Sequence, residues 1–474
     1  MKIALIHCPF GHRKFSENLR FVDEEFILPP PLILAYVAAI LEKSGHQVIL
    51  IDTHSLKLNK NEVLKIIREF GADLLAFRVD AYNFHQTREW IKFLKENTSL
   101  PTIIGGIGIT QYPLESMSWA EIDFGIIGEA SSSLPNLINA LENKEYHKFR
   151  NIEGLAWKEN GKIQINPLSH EVANFDSYPF PARHLLPNHI YHSFVSQRRN
   201  FSIMLTITGC PYNCTFCAIS PLPYRARSVP NVVEELKECH YKYGIREIDI
   251  FDATFFIDKE RVANIFEELI RLNLDLEWTC RGRIDLVDEE IMRLGARSGL
   301  RMVNWGIESA SQDVLDNICK GIDIDQVTKT INLARKYGIR SLGFFMIGNQ
   351  GDTKNTIKES VKFAKSLDLD YIQVCRTIAK PGSVLHKYLV ENTGNDYWSD
   401  FISGTIGEQR IPTPWTKMTP LEIEKLLKIF YYKFYFRPSF ILKTIFKIRS
   451  FSELFRYIRV GLKVVISHMF SDIQ

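Results

Sequence analysis

The stretch Gly209-Cys210-Pro211-Tyr212-Asn213-Cys214-Thr215-Phe216-Cys217 decides how the chain is read. Its three cysteines are spaced C-x3-C-x2-C and follow an alternating apolar run, residues 201–208, that reads as a strand. A strand running straight into a short cysteine loop puts three thiolates on one concave turn. Gly209 and Pro211 shape that turn. Three soft thiolates suit an iron–sulfur cubane with one iron left open. Structural zinc needs a fourth ligand at similar spacing, and none follows closely. Three is an odd number for disulfides, and the remaining cysteines (8, 239, 280, 319 and 375) show no regular framework.

Working outward, the 474 residues suffice for two or three domains with large cores. The 45% hydrophobic and 24% charged fractions are those of an ordinary globular protein. The opening Met1-Lys2-Ile3-Ala4-Leu5-Ile6 reads as a strand, not as a signal peptide. No run approaches the ~18 apolar residues of a membrane span, and the lack of a regular cysteine framework outside the loop makes a reducing cytoplasm the expectation. The net charge of +3 is unevenly spread. Residues 425–470 hold ten Lys/Arg against one acid, Glu453, a balance of +9 that leaves −6 on the remainder. A basic tail on a mildly acidic body suggests an anionic surface as partner.

Residues 1–150 alternate short apolar strands (2–7, 47–52, 73–79, 102–105, 123–128) with amphipathic helices (32–44, 61–70, 86–97, 114–119). That pattern predicts a doubly wound, Rossmann-like parallel sheet, with ligands at the carboxyl ends of its strands. The glycines of Gly105-Gly106-x-Gly108 let backbone approach a bulky ligand closely, and Gly128-Glu129 follows the next strand. Residues 151–197 read as a connector, with a hairpin turning at Asn160-Gly161 and a proline-punctuated stretch from Asp176 to Arg183. Residues 198–385 hold six further βα units. Where βα units build a parallel sheet, chemistry gathers at the strand C-termini. There stand Asp252, Arg281, Arg283, Glu308 and Ser309, with Tyr212, Tyr224 and Arg225 near the cysteines. For the arginines an ion pair with Asp285 or Glu289 is the plain alternative. Residues 386–474 read as a basic helical region, and Thr419-Pro420-Leu421-Glu422 starts a helix. From Phe440 to Met469 apolar residues interleave with Lys443, Lys447, Arg449, Arg456, Arg459 and Lys463. This is the pattern of a basic amphipathic surface or of a packed helical cap.

The cysteine loop resembles the signature of the radical S-adenosylmethionine (SAM) enzymes, and Phe216 matches the aromatic usual before the last cysteine. The resemblance implies a [4Fe–4S] cluster on Cys210, Cys214 and Cys217, whose open iron binds SAM for one-electron cleavage. Pro30-Pro31, Gly45-His46-Gln47-Val48, Gly105-Gly106 and Ile127-Gly128-Glu129 together resemble the cobalamin-binding domain that precedes many of these enzymes. Gly105, Gly106, Gly128 and Glu129 would then line cobalamin. The family's D-x-H-x-x-G motif is absent: the first loop reads His7-Cys8-Pro9-Phe10-Gly11-His12, and Asp52-x-His54 lacks the glycine. Cobalt with no protein histidine below it is implied. With Cys8 alone in this domain, the methylthiotransferase branch, which has additional cysteines there, is disfavoured.

By the same resemblance Asp252 would hold the SAM ammonium or contact substrate, Arg281 and Arg283 would pair with its carboxylate, and Glu308 and Ser309 would meet its ribose or amino group. Two departures stand out: Asp252-Ala253 where many relatives have two acids, and Gln350 where the G-x-P-G-x-T turn has proline. Lys380-Pro381-Gly382-Ser383 matches a loop that lies near substrate in relatives. The expected fold is a cobalamin-binding Rossmann-like domain, a partial (β/α)6 barrel and a helical extension. The expected activity is C-methylation of an unactivated carbon in a small-molecule or lipid-like substrate. Flavodoxin or ferredoxin would supply the electron. Alternatives are radical cyclisation or rearrangement of a tetrapyrrole or polycyclic lipid, a cobalamin-binding sensor, and a zinc-containing nucleic-acid module. The apolar richness of the tail argues against nucleic acid and leaves membrane contact open.

Overall fold

A computed structural model describes residues 1–9, 14–168, 174–198, 200–220, 222–447, 455, 457–463 and 465. Two compact units divide the chain. Met1–Arg13, Pro29–Tyr191 and Asp396–Glu408 form the first, and Lys14–Leu28, His192–Asn395 and Gln409–Gln474 form the second.

In the first unit, β1 (Lys2–His7), β2 (Gln47–Asp52), β3 (Leu74–Arg78), β4 (Thr102–Gly105) and β5 (Phe124–Ile126) lie parallel in the order β2-β1-β3-β4-β5. Ile3, Ala4, Leu5 and Ile6 are all fully buried, as a central strand covered on both faces requires. Helices α1 (Leu32–Lys43), α2 (Lys60–Phe70), α3 (Phe84–Thr98) and α4 (Ala130–Glu142) make the connections. Local chemistry bounds them: α2 starts in a capping box between Asn59 and Glu62 and stops at Gly71, whose φ of 69° is left-handed. The strand order reverses between β1 and β3, which opens a crevice at their carboxyl ends.

Two segments of this unit differ from the sequence expectation. The hairpin β6 (Leu155–Glu159) and β7 (Lys162–Ile165) is no connector but the antiparallel edge of the sheet, paired to β5. Leu155, Ala156 and Trp157 are buried in succession, so both faces of β6 are covered. Helix Tyr397–Ser403, expected within the C-terminal region, also belongs here. Tyr112 donates to Asp396 (3.1 Å), Ser399 to Glu115 (2.6 Å) and the Trp119 indole to the Ile402 carbonyl (2.8 Å). His85 stacks on Phe401 with ring centroids 4.4 Å apart.

The second unit is an open half-barrel of six parallel strands in sequential order. They are β8 (Phe201–Met204), β9 (Glu247–Ile250), β10 (Glu277–Gly282), β11 (Leu300–Glu308), β12 (Arg340–Ile347) and β13 (Tyr371–Arg376). Helices α5 (Val229–Tyr241), α6 (Lys259–Leu272), α7 (Glu289–Ser298), α8 (Ile324–Lys336) and α9 (Lys354–Ser366) alternate with them. Trp278 of β10 packs against Phe255 and Phe266 at 5.5 and 5.3 Å, an aromatic wedge between sheet and helices. Burying each such side chain stabilises by roughly 1.5–3 kcal/mol.

An open barrel leaves an edge strand with unpaired backbone groups. Here α10 (Pro420–Tyr435) covers β13. Val374 N–H donates to the Tyr431 hydroxyl (2.8 Å) and Ile372 N–H to the Tyr435 hydroxyl (2.9 Å), and each phenol donates back to the carbonyl of the same residue. Thr419, Pro420 and Glu422 start α10 as a capping box, as their spacing predicts. At the other end of the chain, the Arg376 guanidinium donates to the carbonyls of Ser16 and Lys14, which ties Lys14–Leu28 to this sheet. Among the described residues no helix is long and apolar enough to cross a membrane.

Candidate functional site

The cysteine loop leaves β8 at the carboxyl end of the half-barrel, and its entrance is fixed by Asp252, just beyond β9. Asp252 is fully buried. Its carboxylate accepts from Thr206 N–H (2.7 Å), Ile207 N–H (3.0 Å) and the Thr206 hydroxyl (2.5 Å). Both oxygens are thereby engaged by the protein's own chain, and Asp252 positions the loop. Gly209 follows at φ 71°, where a Cβ would meet the Pro223 carbonyl oxygen at 2.1 Å. Only glycine lets the two limbs of the loop close this tightly.

Burial sets the titration of Asp252. It raises the pKa from 3.8 to about 6, against hydrogen bonds that favour the charged form. An acid raised in this way takes up a proton on folding, so the stability it contributes is present below about pH 4 and lost as pH rises through about 6. By neutral pH the loss reaches about 3 kcal/mol. Asn in its place can still accept from both amides. The stability of Asp252→Asn relative to the native chain, followed by chemical denaturation, is therefore expected to improve across that window. A difference independent of pH would refute the assignment.

Three cations face the cysteines. Lys320 is the leading charge acting on Cys214, and Arg283 acts on Cys210 and Cys214. Lys380 lies within electrostatic reach of Cys217. Burial works against the charge of Lys380, but its ion pair with Glu17 (3.0 Å) outweighs burial and holds the pKa up. Burial pushes the Cys210 and Cys214 thiols up, and the cations oppose it. Arg283 stacks on the Tyr212 ring at 3.7 Å, pairs with Asp285 (3.1 Å) and donates to the Gly321 carbonyl (3.3 Å). Arg281 is held elsewhere, against Asp249 (3.2 Å) and over the Phe251 ring (3.6 Å).

Glu308 ends β11 behind a bulge, in the left-handed region at φ 67°. It accepts from Lys320 at 2.7 Å, and the side chains of both are more than nine-tenths buried. Gly306 makes room for the pair: a Cβ there would meet Lys320 Nζ at 2.6 Å and Glu308 Oε1 at 2.8 Å. Ser309 is buried, and its hydroxyl accepts from Ser311 N–H (3.2 Å). Lys320 was not singled out from sequence. It lies twelve residues beyond Glu308, across helix Gln312–Asn317, and no periodicity links the two.

Among the described residues no three or more His, Cys, Asp or Glu side chains converge as a ready ligand set for a metal ion. Two observations nonetheless fit an iron–sulfur cluster with a polar ligand beside it. The donors are three thiols on one loop, with Cys217 close enough to act on both Cys210 and Cys214, and they are faced by cations that would offset a bound anionic cluster. On the same segment the buried Thr208, Thr215 and Tyr224 hydroxyls lack hydrogen-bond partners, and buried polar atoms in that state call for a ligand or water.

In the first unit, Gly106 sits at φ 116°, and a Cβ there would meet the Val79 carbonyl oxygen at 2.6 Å. At Gly108 a Cβ would come within 3.2 Å of Asp80 backbone. These glycines let the loop after β4 lie directly on the loop after β3. At Gly105 a Cβ would make ordinary van der Waals contact with Ile126 at 4.0 Å. Gly128 has a φ of 77°, and its N–H donates to Thr110 (3.0 Å), while Glu129 accepts from the Tyr178 hydroxyl. At the end of β1, burial lowers the His7 pKa to about 4, so the ring is neutral at physiological pH. The neighbouring Asp52 is fully buried and accepts from the Tyr191 hydroxyl (2.9 Å).

Known proteins bear on both units. The family model of the Radical SAM superfamily matches residues 204–364, and that of the B12 binding domain matches residues 28–138. An uncharacterized methyltransferase of Pyrococcus horikoshii is 32% identical over 89% of this chain and 91% of its own length. The anaerobic magnesium-protoporphyrin IX monomethyl ester cyclase of Rubrivivax gelatinosus is 27% identical over 72% of this chain and 63% of its own. Among solved structures, the cobalamin-dependent S-adenosylmethionine radical enzyme OxsB superposes on 99% of this chain and 72% of its own, with a TM-score of 0.71 at 16% identity. The radical S-adenosylmethionine methyltransferase TsrM of Kitasatospora setae covers 82% of this chain and 75% of its own, with a TM-score of 0.66 at 20% identity, a likeness of fold. The chain belongs to the radical SAM superfamily, among the members in which a B12-binding domain precedes the radical SAM domain.

Proposed function

We propose that this enzyme methylates an unactivated carbon of a small-molecule substrate. The observation that carries the reading is the cation-flanked cysteine loop with its unpartnered buried hydroxyls, in a chain that also presents a glycine-lined crevice at the switch point of a B12-binding sheet. Together a [4Fe–4S] cluster, SAM and cobalamin would supply the radical and methyl-transfer chemistry that no acid–base side chain can perform on a nonpolar C–H bond.

The protein's own residues would bind and orient. Cys210, Cys214 and Cys217 ligate the cluster, and Lys320, Arg283 and Lys380 offset its negative charge. Glu308 and Ser309, held at the end of β11, would meet the ribose or amino group of SAM, and Arg283 would pair with the SAM carboxylate. Asp252 keeps the loop in place. Gly105, Gly106, Gly128 and Glu129 line the corrin. An electron donor of the flavodoxin or ferredoxin type, and peripheral contact of the basic tail with an anionic membrane, complete the proposal.

The 27% identical cyclase favours one other reading, radical ring formation with the same cofactors. Anaerobic reconstitution followed by product mass separates the two. Methylation adds about 14 mass units and releases S-adenosylhomocysteine with 5′-deoxyadenosine. A product without the added carbon would replace methylation by cyclisation. Four irons without any bound corrinoid would sink the proposal.

A further inference from the structure

Arg261 is a buried arginine in the first turn of α6. Asp258 caps that helix and accepts from the Arg261 N–H (3.0 Å), which fixes the turn. All the hydrogen bonding of the guanidinium goes to backbone. Nε donates to the Arg227 carbonyl (2.7 Å) and Nη2 to the Thr206 carbonyl (3.2 Å), while the buried Nη1 has no partner.

Those two carbonyls stand on opposite limbs of the cysteine loop. Thr206 lies on the entry limb, four residues before Cys210, and Arg227 on the exit limb, ten after Cys217. The limbs are stitched to each other, since Ile207–Thr208 pairs antiparallel with Arg225–Ala226 and Arg227 N–H donates to the Thr206 carbonyl (2.9 Å). Stitching alone leaves the pair free to tilt against the sheet. The connection from β9 to α6 holds it at two points: Asp252 takes the N–H groups of Thr206 and Ile207, and Arg261 takes the carbonyls of Thr206 and Arg227.

Burial works against the charge of Arg261, with Asp252 the leading charge in its favour. The helix otherwise buries Val262, Ile265, Phe266 and Leu269, and another apolar side chain at 261 would avoid that desolvation. What an apolar residue lacks is a planar fork with donors in fixed geometry, which two carbonyls on separate strands require.

We propose that Arg261 is a positioning residue for SAM cleavage: its guanidinium sets the tilt of the cysteine loop, and through it the aim of the cluster's open iron. The inference rests on the cluster ligation proposed above.

The test compares the native full chain with Arg261→Lys and Arg261→Met after anaerobic reconstitution. Lysine keeps the charge and loses the fork, and methionine keeps only the apolar length. Three quantities are read together: iron per chain, the electron paramagnetic resonance of the reduced cluster with and without SAM, and 5′-deoxyadenosine formed per loaded cluster. The expected result for Arg261→Lys is near-native iron, an altered response of the resonance to SAM, and cleavage per loaded cluster slower by about 10²-fold, the effect of a misplacement on the order of 1 Å. Arg261→Met should be at least as slow, and where it fails to fold Arg261→Lys decides. A merely structural role would lower iron and soluble yield together and leave the rate per loaded cluster and the resonance native, which would overturn the proposal. A native rate in Arg261→Lys would overturn it too, because charge without the fork would then suffice. A native chain that takes up no iron would instead sink the cluster reading, and this inference with it.

Discussion

Cys214→Ala is expected to empty the iron site. After anaerobic reconstitution, iron and labile sulfide should fall from about four of each per chain to near zero, because two thiolates do not hold a cubane against reductant and chelator. Reductive SAM cleavage should fall with them by at least about 10³-fold, the equivalent of about 4 kcal/mol on the barrier. Cys8→Ala is the matched control. It removes a buried thiol from the first unit and should leave iron content unchanged. Full iron loading of Cys214→Ala would show that the loop is not the ligand set.

The second large effect concerns the Glu308–Lys320 pair. Glu308→Ala leaves the Lys320 ammonium buried and unpaired, which costs about 3–5 kcal/mol in stability. Adding Lys320→Met should return part of that loss, since it removes the unpaired buried charge and leaves only the volume vacated at Glu308 unfilled. The backbone supplies a sharper discriminator. Glu308 occupies φ 67°, a conformation strained for any side chain, so Glu308→Gly should be about 1 kcal/mol more stable than Glu308→Ala. Denaturation midpoints of the three variants read this directly. Equal losses for Glu308→Ala and for the double variant would mean that the ion pair is not the source of the effect.

Much of the architecture was legible because it rests on short-range patterns. The apolar runs that became β1 to β5 and β8 to β13 are separated by amphipathic helices, and parallel strands buried on both faces announce themselves in composition. The doubly wound sheet and the six-stranded half-barrel follow. The cysteine loop was legible for the same reason, since its donors fall within eight residues. What sequence does not carry is pairing at long range. Glu308 stands out as an acid at a strand end, but Lys320 beside it is one lysine among many. Asp252 likewise reads as a strand-end acid, while the amides of Thr206 and Ile207 that occupy it are set by a strand 46 residues earlier. Tyr431 and Tyr435 look like part of an apolar helix stripe, and their hydroxyl bonds to β13 appear only once helix and edge are brought together.

The exchange of segments has a consequence for synthesis on the ribosome. The first unit draws in Asp396–Glu408, and the second takes Lys14–Leu28. A nascent chain therefore reaches residue 191 with every strand of the first sheet made, yet without the helix that supplies partners to Tyr112, Glu115 and Trp119. Those side chains must wait, partly uncovered, for about two hundred further residues, roughly 10–40 s at ordinary elongation rates. Residues 14–28 wait in the same way for β13. Folding of this protein is thus an end-stage event in which two half-built bodies are completed together, and the open interval is the period in which a chaperone would matter most.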